Sequence, residues 1–172
     1  MQMRLELADL EVARGQALLR YAFLLCGDRS EAQDLVQEAF LSVLRRGGDP
    51  LARRIENLEG YLRSSIYHDC ASRGRRLRRG REALKRLTGE RDVVADSQET
   101  VASRDHLWSA LQELPARQRA AIVLRFYEDL PDTEIGEVLG CATGTVRSLV
   151  HRGLTQLQRR DDLATHKSKV KR

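Results

Sequence analysis

The chain has 172 residues, 30 Lys and Arg against 25 Asp and Glu for a net charge of +5, and only 5% aromatic residues. That length accommodates one ordinary domain or two small ones. No apolar run approaches the ~18 residues of a membrane span, and the charged N-terminus MQMRLELADLEVARG is unlike a secretory signal.

Residues 5–87 carry apolar residues at helical spacing, interrupted by Gly27-Asp28 and by Gly47-Gly48-Asp49-Pro50. No run alternates as a strand would, so the predicted class is all-α. Within 27–46, Ser30 and Gln33 have the spacing of a capping box. Leu35, Ala39, Val43 and Leu44 then fall on a core side, with Gln33, Asp34, Gln37, Glu38 and Leu41 opposite. A polar, partly acidic face with one leucine fits either solvated surface or a docking surface.

A helix is predicted from about Leu58, with Tyr61, Leu62, Ile66 and Tyr67 as its apolar contacts. Beyond them Arg73, Arg75, Arg76, Arg78, Arg79 and Arg81 crowd into one short stretch. So many guanidinium groups repel one another unless a polyanion neutralises them. Residues 88–103, TGERDVVADSQETVAS, hold no lasting apolar stripe and read as a linker.

The helical pattern resumes at Arg104 with Leu107, Trp108, Leu111 and Leu114. Pro115 suits the first turn of the next helix, whose buried face is Ala120, Ala121, Val123, Leu124 and Tyr127. Residues 131–157, PDTEIGEVLGCATGTVRSLVHRGLTQL, then read as two short helices around a tight turn. Ile135, Val138 and Leu139 make one stripe, Asp132, Thr133 and Glu134 supply acceptors at the helix start, and Gly140 stops it. Gly136 is small where a second helix must cross closely.

The second helix starts near Thr143 as its N-cap. Val146, Leu149, Val150, Leu154 and Leu157 hold it on the core. Thr145, Arg147, Ser148, His151 and Arg152 form the opposite, acid-free face, able to donate to base edges and phosphates. This is the pattern of a helix-turn-helix, whose second helix enters the major groove. The final THKSKVKR is basic, almost without apolar residues, and reads as a disordered tail. Cys26, Cys70 and Cys141 form no C-x-x-C pair and have no metal-ligand spacing with His68, His106, His151 or His166. They read as incidental thiols of a reducing cytoplasm, and neither metal nor cofactor is predicted.

Together the pieces resemble a bacterial sigma factor of the extracytoplasmic-function type, the two-domain group 4 of the sigma-70 family. DLVQEAF (34–40) is similar to the family's helix for the polymerase clamp. YLRSSIYHDCASRGRRLRR (61–79) is similar to its promoter-melting and −10-reading region, and residues 114–154 to its −35-reading domain. The resemblance implies two small helical domains joined by a flexible linker: a region 2-like domain over 1–87, the linker over 88–103, a region 4-like helix-turn-helix domain over 104–160 and the basic tail over 161–172. It implies no catalytic activity, a cytoplasmic location, and three partners: the clamp helices of the largest subunit of core RNA polymerase, promoter DNA, and an anti-sigma factor. Asp34, Gln37, Glu38 and Leu41 would dock on the polymerase. The segment from Gly47 to Asn57 would hold a flipped −10 base, Tyr61 and Tyr67 would border the separated strand, and Arg73, Arg75, Arg76, Arg78, Arg79 and Arg81 would hold its phosphates. Thr145, Arg147, Ser148, His151 and Arg152 would face the −35 element, with Arg119 and Arg125 as backbone contacts.

The chain departs from the family pattern where Tyr61 stands for a frequent Trp, Asp69 for a frequent Asn, and Leu149 for a polar residue. Two other readings remain open. A stand-alone helix-turn-helix regulator would use the first block for dimerisation or sensing and bind a palindrome. A DNA-acting enzyme with a helix-turn-helix tail would need clustered carboxylates, a phosphate-binding glycine loop or an activated nucleophile, and none is found in the sequence.

Overall fold

The computed structural model describes the backbone of residues 2–46, 57–88 and 102–170, and side chains within 5–45, 57–83 and 108–160. The described residues form α1 (Gln2–Cys26), α2 (Arg29–Arg46), α3 (Leu58–Thr88), α4 (Ala102–Glu113), α5 (Ala116–Phe126), α6 (Asp132–Leu139) and α7 (Thr143–Val170), with no strand among them. The all-α expectation holds. The expected base-holding loop lies outside the described residues apart from Asn57, and so does the linker apart from Thr88 and residues 102–103.

Local chemistry sets the breaks between helices. Gly27, at φ 86°, ends α1 in a left-handed conformation that glycine adopts at least cost, and its N–H donates to the Phe23 carbonyl at 2.8 Å. The chain reverses at once, so Asp28 caps α2: its Oδ1 accepts the Glu31 N–H at 2.7 Å. The cap thus falls two residues before the Ser30 of the predicted capping box. Asn57 caps α3 in the same way, with Oδ1 accepting the Gly60 N–H at 2.7 Å.

In the second block Pro115 stands at the N-cap of α5 and Pro131 at that of α6. No side chain caps α6, so Asp132 is not used there as the sequence suggests. Gly140, at φ 62°, closes α6. A Cβ on Gly136 would lie 2.6 Å from the backbone oxygen of Cys141. The close approach that demands glycine there is the turn itself, not the crossing helix. The first turn of α7 is closed by Val146 N–H on the Ala142 carbonyl at 3.1 Å, which puts Thr143 inside the helix instead of at its cap. α7 continues through Val170, well into the segment expected as a disordered tail. Nothing between Leu154 and Val170 is a glycine or proline that would stop it.

Leu18, Tyr21, Leu25, Leu35, Ala39, Val43, Leu62 and Ile66 fill the first block. Ala120, Ala121, Leu124, Ile135, Val138, Leu139, Val146 and Val150 fill the second, and the two sets make one continuous buried cluster. Leu111, Leu114 and Ile122 form a satellite with Leu154 and Leu157.

Specific polar contacts cross between the blocks. Arg63 of α3 donates to Glu128 at 2.6 and 2.8 Å, and to Glu59 at 2.6 Å. Arg14 of α1 joins the network at Glu59, 2.7 Å away. The Arg63 and Glu128 side chains are only 6% and 2% exposed. Arg20 Nε donates to the Tyr127 hydroxyl at 2.6 Å, Ser64 Oγ to the Val138 carbonyl at 3.2 Å, and Gln112 Nε2 to the Leu24 carbonyl at 3.1 Å. The Phe23 and Trp108 rings stack with centroids 5.8 Å apart.

Candidate nucleic-acid and protein interfaces

The first face lies on α2. Leu35, Ala39 and Val43 are fully buried, while Asp34 and Gln37 are exposed. Leu41 and Leu44 are 46% and 41% exposed. Leu44, expected on the core side, instead extends the outer stripe Asp34–Gln37–Leu41–Leu44, and Phe40 fills the core in its place. The error is one of phase: Leu44 sits one residue past Val43, about 100° around the helix. Glu38 pairs with Arg45 across two turns of the same surface. Two adjacent exposed leucines flanked by an acid and an amide suit a protein partner better than a phosphate backbone.

The second face lies on α3 and divides into two parts. The distal part holds Arg75, Arg76, Arg78, Arg79 and Arg81, all exposed, with Arg73 half-buried. Arg78 has an acidic neighbour in Glu82 at 3.8 Å, but such a surface pair contributes little. Between this stretch and the α4–α5 junction runs an open groove of about 860 Å³, to which Arg75, Arg78, Arg81, Arg117 and Arg119 contribute. Glu31, Glu82 and Glu113 line it too, so its positive excess is modest, which still suits a nucleic-acid strand. Replacing Arg75, Arg76 and Arg79 together with Ala should flatten the dependence of log K on log salt for single-stranded DNA, by about 0.7 for each phosphate that is no longer neutralised. An unchanged slope in a salt titration would remove these arginines from the strand's path.

The proximal part of α3 faces the second block. Tyr61 is half-buried beside a cleft of about 180 Å³ shared with Ser64 of α3 and Glu134, Glu137 and Val138 of α6. Tyr67 is 7% exposed, its ring tilted against His68 with centroids 4.9 Å apart. Burial pushes the Tyr67 phenol up, opposed by the nearby Arg117 guanidinium. Of the residues expected to border a separated strand, Tyr61 thus lies beside α6 and Tyr67 beside Ala116 and Arg119 of α5. Asn57 is exposed, though its side chain is committed to capping α3.

The third face lies on α7. Thr145, Arg147, Ser148, His151 and Arg152 are all exposed, while Val146, Leu149 and Val150 are buried. The predicted division of this helix holds at each of these positions. Ser148 Oγ and Arg152 Nε rest on carbonyls of their own helix, Gly144 at 3.1 Å and Ser148 at 3.2 Å. Arg147 instead reaches across the turn, its Nε donating to Asp132 Oδ2 at 3.0 Å.

Two arginines implied as backbone contacts are engaged elsewhere. Arg119 is largely buried, which lowers its pKa, and its Nη1 donates to the Gln112 carbonyl at 3.3 Å. Arg125 pairs with Asp132. Sequence reasoning missed Arg63 and Glu128 altogether. The Glu59–Arg63 spacing of four was a visible signal for half of that network, but nothing local marked Glu128.

The cysteines are free and half-buried. Burial pushes the Cys70 thiol up to about 12 and raises Cys26 as well, so both stay protonated and weakly nucleophilic at neutral pH. Among the described residues no group of three His, Cys, Asp or Glu is placed to hold a metal, and no helix is long and apolar enough to cross a membrane.

Known proteins share this arrangement. Residues 12–80 match the family Sigma-70 region 2, and residues 104–157 match Sigma-70, region 4. The chain is 35% identical over 158 residues to the ECF RNA polymerase sigma factor SigE of Mycolicibacterium smegmatis, covering 88% of this chain and 59% of that one. It is 32% identical over 161 residues to the RNA polymerase sigma-E factor of Streptomyces antibioticus, covering 94% of this chain and 86% of that one. Among solved structures it is similar to the sigma factor RpoE of Bartonella quintana, crystallised with the anti-sigma factor NepR, at a TM-score of 0.68 and 25% identity over 90% of this chain and 95% of that one. The fold is also that of CnrH, solved with the cytosolic domain of CnrY, at a TM-score of 0.63 and 19% identity over 91% of this chain and 88% of that one.

Proposed function

Because this chain belongs to the sigma-70 family of RNA polymerase sigma factors, in its extracytoplasmic-function group, we propose a division of labour among its three faces. The α2 stripe of Asp34, Gln37, Glu38 and Leu41, extended by Leu44, docks on the clamp helices of core polymerase. The α3 arginines hold the phosphates of the separated −10 strand. The α7 face reads the −35 element. The protein brings polymerase to a promoter and starts transcription; it carries out no chemistry of its own, needs no cofactor, and works in the cytoplasm where polymerase and template are.

What carries this reading is the pairing, in one chain, of an exposed leucine-and-acid stripe on α2 with an exposed, acid-free face on α7. A stand-alone regulator needs the second but has no use for the first. Exchanging Glu38→Lys together with Gln37→Ala should abolish binding to core polymerase while leaving helix content unchanged. Undiminished polymerase binding by that variant would take the docking role away from α2.

Control by an anti-sigma protein follows from the closed arrangement. With α6 over Tyr61 and Ser64, the proximal part of α3 is covered, so this is a state that does not admit a separated strand. A partner that binds the closed state better than the open one shifts the population toward it. The similar RpoE structure, solved with an anti-sigma factor, supports this reading.

The deciding experiment is transcription in vitro with purified bacterial core polymerase on a library of random −35 and −10 elements. Protein-dependent transcripts starting downstream of a two-part motif are the expected result. No transcript, with the protein alone shifting duplex DNA as a dimer, would leave the stand-alone regulator as the better account.

A further inference from the structure

We propose that Asp132 is a positioning residue for Arg147 and thereby sets the selectivity of the −35 helix. It rests on the reading of α7 as the −35 helix, and adds to it a residue that touches no DNA.

Asp132 opens α6, where a carboxylate would ordinarily cap the helix or lie in solvent. It does neither: no side chain caps α6, and the Asp132 side chain is only 19% exposed. Its two oxygens are divided between two guanidinium groups from different helices. Oδ1 takes Arg125 of α5, whose side chain is 30% exposed, and Oδ2 takes Arg147 Nε of α7 at 3.0 Å. One carboxylate therefore ties α5 to both helices of the helix-turn-helix.

The consequence for Arg147 follows from guanidinium geometry. The group is a planar fork of five N–H donors. Asp132 occupies Nε, which fixes the plane and leaves the terminal Nη groups for another partner, while 73% of the side chain remains exposed. A guanine offers two acceptors, O6 and N7, to a fork held in this way. A long side chain that is already oriented loses less freedom on binding, and a fixed plane matches fewer bases than a mobile one.

The charge balance points the same way. An acid beside DNA repels phosphate, and an isolated one here would weaken binding to every sequence. Arg125 offsets that charge without reaching the recognition face. The trio keeps one net positive charge, with the orientation gained at Arg147.

The test is selection from a randomised −35 library by polymerase holoenzyme carrying the wild-type chain, Arg147→Ala, Asp132→Ala, Asp132→Asn, or both alanine changes. Arg147→Ala identifies the base pair that Arg147 reads. At that pair Asp132→Ala should lose about 10-fold in discrimination while binding to unrelated sequence stays equal or rises. Asp132→Asn, which keeps an acceptor but not the charge, should fall between. The double variant should discriminate no worse than Arg147→Ala alone, because Asp132 acts only through Arg147.

Undiminished discrimination in Asp132→Ala would overturn the proposal. Increased discrimination would overturn it too, by showing that Asp132 competes with DNA for Arg147. A uniform loss at every position, persisting in the Arg147→Ala background, would make Asp132 a fold residue only. If Arg147→Ala itself produced no position-specific loss, the base-reading role of Arg147 would fall along with the proposal; a loss there without one in Asp132→Ala removes the proposal alone.

Discussion

Glu128→Ala is expected to part the two halves of the molecule. Glu128 lies 2.6 Å from Arg63, and the two side chains are 2% and 6% exposed. Removing one partner of a buried ion pair costs about 3–5 kcal/mol when the other is left unpaired; here Glu59 still reaches Arg63 at 2.6 Å, so part of that cost is expected. The protein avoids that cost by opening, which returns Arg63 to water. Helix content should therefore persist while the radius of gyration in X-ray scattering grows. An equally compact and equally stable variant would show that the pair does not hold the halves together.

A companion variant separates the charge from the closure. Arg63→Met with Glu128→Leu replaces the pair by apolar side chains, a change that is commonly neutral or stabilising. That chain should stay compact and resist opening. It should start transcription less well than the wild type, whereas Glu128→Ala should be released from this restraint.

Ile135→Ala carries the second large effect. Ile135 is fully buried in α6, the helix that packs on α3, α5 and α7. The loss of three carbons there leaves a cavity with little room to collapse, because the next residue, Gly136, already touches the turn. A loss of about 2–5 kcal/mol is expected. For a chain of this size that lowers Tm by roughly 2–4 °C per kcal/mol. Calorimetry should register both the shift and a weakening of the closed arrangement, since α6 serves both. A variant with unaltered Tm would mean that α6 is not the joint between the halves.

Much of this molecule was legible in its sequence because the informative signals were local. The order of helices followed from apolar spacing, the end of α6 from Gly140, and the exposed side of α7 from the alternation of Val146, Leu149 and Val150 with Arg147, Ser148 and His151. Caps were less legible, since several acceptors stood close together. Ser30 was expected to cap α2 and Thr143 to cap α7, whereas Asp28 caps the first and the Ala142 carbonyl already closes the first turn of the second. Leu44 was misplaced by a single helical step.

Contacts between distant segments left no such trace. Arg63 meets Glu128 across 65 positions of the chain, and Arg20 meets Tyr127 across 107. No periodicity encodes such a meeting. The same blindness hid Tyr67 under the second block and gave no sign that Arg119 donates to the Gln112 carbonyl. It also made Asp132 look like a helix cap, when its partners lie in the helices on either side.

The two faces proposed to read the promoter differ in availability: α7 presents Thr145, Arg147, Ser148, His151 and Arg152 to solvent even while α6 sits on Tyr61. If α7 reads duplex DNA as proposed, a closed molecule can scan it by sliding on that helix before it commits to strand separation. Arrival and opening become consecutive events, the first governed by diffusion along the double helix, the second by rupture of the Arg63–Glu128 contact. A promoter with a strong upstream element would lengthen the dwell time and so give the slower step more chances to occur. Occupancy and firing rate would then be tuned by different base pairs of the same promoter.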